Sequence, residues 1–182
     1  KVDDGRTLLP RVLPGEEVAV AQDGSVRIVT PSTDRVAAPC KHYKNCGGCA
    51  MQHATDAFVA NWKLDIVKKA MAAQRLETVF RDVITSPARS RRRAKIAAKR
   101  TKSGAMLGFH AKGTNTLIAT PECQLLTPAL MDQFPMLEEL VVLAASRKAE
   151  IALTVTETAV GLDIRVDTEK PLTPSLREEL AD

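Results

Sequence analysis

The feature that most limits how this chain folds is a run of cysteines bent around two glycines, Cys40-Lys-His-Tyr-Lys-Asn-Cys46-Gly-Gly-Cys49-Ala-Met-Gln52-His53. Five residues separate Cys40 from Cys46, and two separate Cys46 from Cys49. A Cys-x-x-Cys pair brings two thiolates to one centre from a single tight turn. Gly47 and Gly48 are expected to supply that turn with positive φ angles and close backbone approach. Cys40 can curl back as a third ligand. The fourth cysteine, Cys123, lies far downstream in Pro-Glu-Cys-Gln. Four thiolates satisfy either a tetrahedral zinc ion or an iron–sulfur cluster. Disulfides are the weaker reading: they need an oxidising compartment, and no apolar signal segment is visible, although the sequence starts at Lys1 rather than Met.

Zinc sites usually draw their ligands as two spaced pairs, whereas iron–sulfur proteins often combine a cysteine triplet with one remote residue. The spacing of three and two found in radical enzymes is absent, as is the ferredoxin run of two and two. His42 or His53 could in principle replace a thiolate, but four thiols already complete a coordination sphere. His53 and Gln52 are therefore expected to pack or hydrogen-bond near the metal rather than ligate it.

Charge supplies the second constraint. The net charge is only +4, yet from Val83 to Pro121 there is no Asp or Glu. That stretch holds nine cations: Arg89, Arg91, Arg92, Arg93, Lys95, Lys99, Arg100, Lys102 and Lys112. The rest of the chain then carries 17 of the 26 Lys and Arg against 22 Asp and Glu. One segment thus concentrates the positive field, which points to a polyanion such as RNA. Arg91, Arg92, Arg93, Lys95, Lys99, Arg100 and Lys102 are the candidate RNA contacts, a solvated charged face being the plainer alternative. No apolar run approaches membrane-spanning length.

Residues 1–36 read as β, with strands flanking the Asp23-Gly24 hairpin signal, and residues 31–39 read as a linker. Thr55 is placed to cap a helix from about Asp56 to Leu76. Its apolar stripe of Phe58, Trp62, Ile66 and Ala70 predicts core packing for Trp62 rather than stacking on a base. Three strands follow between Asp82 and Ala119, with turns near Ser103-Gly104 and Lys112-Gly113. In the first of them Arg93, Lys95 and Lys99 share one face, and Ala94, Ile96 and Ala98 the other. Phe109 on this sheet suits a core place and a base-stacking place equally. Thr127-Pro128 opens a helix to about Ala145, with Pro135 as a break point; a hairpin spans Ile151–Val166. Thr173-Pro174 opens a last helix running into Asp182, and an end inside a helix is expected of a fragment.

Cys-x5-Cys-Gly-Gly-Cys-x2-Gln-His resembles the iron–sulfur signature of the bacterial RNA uracil-5-methyltransferases. These S-adenosylmethionine-dependent enzymes make 5-methyluridine in ribosomal or transfer RNA. Three further segments are similar to the same family in the same order: Leu13-Pro-Gly-Glu-Glu-Val-Ala-Val20, Arg91-Arg-Arg-Ala-Lys-Ile96, and Leu107-Gly-Phe-His110 leading to Pro121-Glu-Cys123. The resemblance implies a 4Fe-4S cluster held by Cys40, Cys46, Cys49 and Cys123. It implies that residues 1–36 are part of a TRAM domain, an OB-like β-barrel, with too few strands here to close. Residues 37–182 would form the central iron–sulfur domain, giving an α/β (α+β) protein with a mostly antiparallel sheet and flanking helices.

In that family a cysteine thiolate attacks C6 of uracil, so that C5 can take the methyl group. Here every cysteine belongs to the metal motif, and no glycine-rich strand-to-helix loop suits S-adenosylmethionine. No catalytic residue is therefore assigned, and the methyltransferase domain that would use S-adenosylmethionine is expected to be missing from these residues. The expected protein is a cytoplasmic monomer without membrane contact, its partner ribosomal RNA ahead of transfer RNA. Two alternatives stand beside it: a zinc-stabilised RNA-binding module, and a radical iron–sulfur enzyme of the methylthiotransferase kind.

Overall fold

The computed structural model describes residues 8–171 and 173–179. The chain divides into two compact units, Lys1–Pro39 with Ala50–Thr85, and Cys40–Cys49 with Ser86–Asp182.

The first unit holds a hairpin and a helix. Strands β1 (Glu17–Val20) and β2 (Val26–Thr30) pair antiparallel, as the Asp23-Gly24 signal predicts. Gly24 adopts a φ of 80°, and the Ser25 N–H donates to Asp23 Oδ1 at 2.8 Å. Both strands are largely exposed. The described residues form no closed barrel here, and the TRAM-like barrel is not confirmed; residues 1–7 of the expected N-terminal domain lie outside the described residues.

The hairpin is anchored by Glu16, whose side chain is fully occluded. Its carboxylate accepts the Leu13 N–H at 2.8 Å, the Ser32 N–H at 3.2 Å and Arg35 Nη2 at 2.7 Å. The Arg35 hydrogen bond outweighs the opposing effect of burial and holds the Glu16 carboxyl at about 2. The same stretch ties into the start of the helix. Arg35 bridges Ala54, Val36 N–H donates to the His53 carbonyl at 3.0 Å, and Thr55 Oγ1 donates to Asp34 Oδ1 at 3.0 Å.

Helix α1 (Asp56–Ala73) starts where Thr55 Oγ1 accepts the Phe58 N–H at 3.2 Å. It stops three residues short of the expected end, where Arg75 turns left-handed at φ 56° and Leu76 N–H reaches the Met71 carbonyl. No residue of α1 is buried. The expectation of a core place for Trp62 is therefore corrected: Trp62 is 42% exposed and Ile66 47%. The stripe has the right period, but none of the described residues covers it deeply.

The second unit is built on a five-stranded antiparallel sheet ordered β5-β4-β3-β6-β7. Its strands are β3 (Arg93–Arg100), β4 (Ala105–His110), β5 (Leu117–Ala119), β6 (Glu150–Thr158) and β7 (Gly161–Asp167). The period-2 pattern read in β3 is realised: Ala94, Ile96 and Ala98 are buried, while Arg93, Lys95 and Lys99 are exposed. Pairing carries that alternation across the sheet, setting Ala94 opposite Val155 and Ile96 opposite Leu153.

Two helices joined at Gln133, α2 (Pro128–Asp132) and α3 (Phe134–Ala144), cover the apolar face. Thr127 Oγ1 caps α2 by accepting the Leu130 N–H, and the break before Pro135 falls where proline cannot continue a helix. On α3, Phe134, Leu137, Val141 and Ala144 are buried at three- and four-residue steps. Leu126, Leu130, Leu137, Ile96 and Leu153 are wholly inaccessible, each such burial contributing about 1.5–3 kcal/mol. Helix α4 (Pro174–Glu179) packs on α3 through Leu176; the rest of its expected run, to Asp182, lies outside the described residues. No helix among the described residues is long and apolar enough to cross a membrane.

Candidate functional site

All four cysteines fall in the second unit, and none forms a disulfide. The loop from Cys40 to Cys49 is a chain of short turns. Tyr43 N–H donates to the Cys40 carbonyl, and the His42 carbonyl accepts from both Asn45 N–H (3.1 Å) and Cys46 N–H (2.8 Å). The loop then docks on the end of β4: Gly47 N–H donates to the His110 carbonyl at 2.8 Å, and Cys46 bridges Ala111.

The glycines work differently from the sequence-based expectation. Neither Gly47 nor Gly48 has a positive φ. Gly47 is needed for proximity instead. A Cβ on Gly47 would lie 2.7 Å from the His110 carbonyl oxygen and 3.0 Å from Lys112 N, both backbone atoms. One on Gly48 would make only ordinary van der Waals contacts, 3.4 Å from Cys46 Sγ and 3.6 Å from the Phe109 ring. Phe109 packs partly into the core and against this turn.

Cys123 follows β5 on a segment anchored twice. Lys41 of the cysteine loop forms an ion pair with Glu122, and Arg89 grips Gln124 through its N–H and through its guanidinium at 2.9 and 3.1 Å. Arg91 then bridges Leu126 in parallel. The basic run and the Cys123 segment are thus hydrogen-bonded neighbours, although they are more than thirty positions apart in sequence. A cavity of about 240 Å³ opens beside Cys123, lined also by Arg89, Glu122, Leu126 and Met131.

Burial pushes the Cys46 thiol above its ordinary value, and the neighbouring thiols of Cys123 and Cys40 push the same way. The Gly48 N–H, 3.3 Å from Cys46 Sγ, opposes them. Cys46 therefore feels both its loop partner and the remote cysteine. Among the described residues, no three Cys, His, Asp or Glu side chains are gathered as tightly as a closed metal site requires. The donor chemistry still suits a thiophilic centre: four reduced thiols in one unit, two of them held within electrostatic reach of Cys46.

The cationic residues are where β-alternation puts them. Arg91, Arg92, Arg93, Lys95, Lys99 and Lys102 are exposed, and Arg100 is half-buried. The face they occupy is less uniformly positive than the sequence stretch. Register sets Lys99 opposite Glu150, Arg93 in line with Asp163, and Ala97 in line with Asp167. Asp167 lies 3.8 Å from Lys95 and 2.8 Å from Arg165, and Glu150 meets His110 Nε2 at 2.6 Å. These acids come from strands outside the acid-free stretch, so only pairing reveals them. His53, expected near the metal, is buried in the first unit, where desolvation first and the Arg35 charge second lower its pKa.

Comparison with known proteins adds the family. No protein-family model matches the chain. The chain is 36% identical to an uncharacterized RNA methyltransferase of Caulobacter vibrioides, over 90% of its own length and 41% of that protein. It is 31% identical to an uncharacterized RNA methyltransferase of Agrobacterium fabrum over 98% of its length and 45% of the relative's. It is 30% identical to the 23S rRNA (uracil(1939)-C(5))-methyltransferase RlmD of Halomonas elongata, over 98% and 38% respectively. The chain is thus homologous to the RNA methyltransferases, uracil-C5 enzymes among them, as its motifs imply. It spans about two fifths of the length of these curated relatives.

Proposed function

We propose that this chain is the RNA-binding and 4Fe-4S-binding portion of an S-adenosylmethionine-dependent RNA (uracil-5-)-methyltransferase that makes 5-methyluridine in ribosomal RNA, with transfer RNA as the second candidate. The observation that carries the reading is the homology to RNA methyltransferases along 90% of the chain. The naming of one such relative as a 23S rRNA uracil-C5 enzyme favours the ribosomal substrate.

In this reading Cys40, Cys46, Cys49 and Cys123 hold the cluster as thiolates. The cluster would cross-link the loop docked on β4 to the segment beside the basic run, bracing the surface that meets RNA. Cation binding would offset the burial and mutual repulsion that keep Cys46 protonated, so assembly releases protons. Arg91, Arg92, Arg93, Lys95, Lys99, Arg100 and Lys102 neutralise phosphates. Since all four thiols serve the cluster, the nucleophile that attacks uracil and the S-adenosylmethionine site belong elsewhere in the full-length protein. Transfer of the methyl group is then not a property of these residues alone.

The experiment is a salt titration of binding to a labelled ribosomal RNA fragment, comparing the chain with its Arg91→Ala, Arg92→Ala, Arg93→Ala triple variant. Each lost phosphate contact flattens the slope of log K against log salt by roughly 0.7–0.9. A slope flatter by about 2–3 and weaker binding at low salt are expected. Unchanged affinity and slope overturn the RNA contact. The alternative, a zinc-stabilised RNA-binding module, predicts the same RNA result but zinc in place of iron and sulfide.

A further inference from the structure

His42 is a residue of the cysteine loop whose side-chain chemistry the cluster reading leaves unused. It lies between Cys40 and Cys46, and its carbonyl accepts the Cys46 N–H at 2.8 Å, so its backbone sets where the Cys46 thiol is held. Its Nε2 is fully buried and has no hydrogen-bond partner among the described residues. A buried imidazole nitrogen without a partner is destabilising, and folded proteins rarely leave such a group unsatisfied. The few exceptions call for an explanation in terms of a ligand, an ion or a functional role.

The location narrows the choice. The loop's neighbour Lys41 pairs with Glu122, one residue before Cys123. The Glu122 carboxyl is lowered by the Lys41 hydrogen bond and charge first, and the His42 ring adds to the lowering. The imidazole therefore lies near the segment that carries Cys123 while its backbone holds Cys46. Its buried nitrogen belongs to the loop that carries Cys40, Cys46 and Cys49, and the residue before it is paired to the residue before Cys123. The groups that cluster assembly would bring to this loop are acceptors only: thiolate sulfurs and inorganic sulfides. A neutral imidazole with its proton on Nε2 is a donor of matching polarity.

Resting on the iron–sulfur reading above, we propose that His42 Nε2–H donates a hydrogen bond to the sulfur shell of the cluster and thereby positions the cluster and sets its reduction potential. A donor aimed at cluster sulfur stabilises the more negative, reduced state more than the oxidised one, because reduction places added charge on the sulfurs. His42 acts through the cluster, so it is a positioning residue and not a catalytic one. Its methylated or apolar replacement removes the donor while leaving the backbone carbonyl that holds Cys46 in place.

The test is an EPR-monitored redox titration of the anaerobically reconstituted 182-residue chain, with His42→Phe and His42→Gln alongside. In H42F the reduced-to-oxidised ratio at a fixed solution potential is expected to fall about tenfold, which for a one-electron couple is a potential lower by about 59 mV. H42Q, whose amide can still donate, is expected to fall between H42F and the parent. Iron–sulfur stretching bands in resonance Raman should shift in H42F and recover in part in H42Q. If H42F does not load, H42Q is compared with the parent, and a small drop in potential is expected. An unchanged potential and spectrum in the loaded variants overturn the His42 role while leaving the cluster intact. A parent chain that takes up no iron and sulfide overturns both readings, which separates the two failures.

Discussion

Helix α1 and strand β3 both present an apolar side and a polar side in sequence, and they meet opposite fates. On β3 every residue read as inward is buried, because α2 and α3 close over the sheet. On α1 the stripe of Trp62, Ile66 and Val67 stays about half exposed, and no residue of the helix is fully buried. Periodicity identifies which face is apolar; it does not identify what covers it. The two units are accordingly held by different forces. The sheet unit rests on a close-packed core, whereas the described part of the hairpin–helix unit rests on a polar clamp around Glu16 and Arg35.

Four measurements sharpen or break that contrast. The largest effect is expected from Leu137→Ala, which empties a fully buried position beneath the sheet and should cost about 2–5 kcal/mol in denaturant unfolding. A cost below 1 kcal/mol would mean that the sheet core is not what stabilises the unit. Next is Gly108→Ala, where a Cβ would lie 1.9 Å from the Ile118 carbonyl oxygen and must push β4 from β5. A loss of about 1–3 kcal/mol is expected, since overpacking here meets backbone rather than a flexible side chain.

The third concerns the clamp and its pH dependence. The folded Glu16 carboxyl is depressed to about 2 from an ordinary 4.5. A depressed acid contributes stability that is complete above the unfolded value and drains away as pH falls through the window from 4.5 to about 2. Acid titration of the hairpin–helix unit should show this loss, and Glu16→Gln should remove the pH dependence in that window. A parallel acid profile in the two proteins would contradict the clamp. The smallest effect is expected from Ile66→Ala, within about 0.5 kcal/mol, because exposed positions away from special features change little. A core-sized loss there would show that something covers α1 in solution.

What was legible in sequence was local. The Asp23-Gly24 hairpin, the Thr55 and Thr127 caps, the Pro135 break and the alternation in β3 each depend on a few adjacent residues and appear as read. What was not legible depends on partners distant in the chain. Nothing next to Glu16 announces Arg35, and nothing next to Lys99 announces Glu150. The roles of Gly47 and Gly48 were misjudged for the same reason. The small size of Gly47 answers to the backbone of His110 and Lys112, which only tertiary docking brings near. The acid-free stretch was visible, but the carboxylates that β6 and β7 lay beside it were not. Among site residues, His42 carried no signal beyond its place between two cysteines; its buried nitrogen emerged only with the fold.

The central claim is that four thiols share one iron–sulfur centre beside a cationic sheet. The most direct measurement is quantification of iron and acid-labile sulfide, with Mössbauer spectra, on the anaerobically purified chain and its Cys123→Ser variant. The account predicts iron and sulfide in equal amounts with the spectrum of a 4Fe-4S cluster, and a centre lost or converted when Cys123 is replaced. Zinc without sulfide, or a cluster indifferent to Cys123, would contradict it.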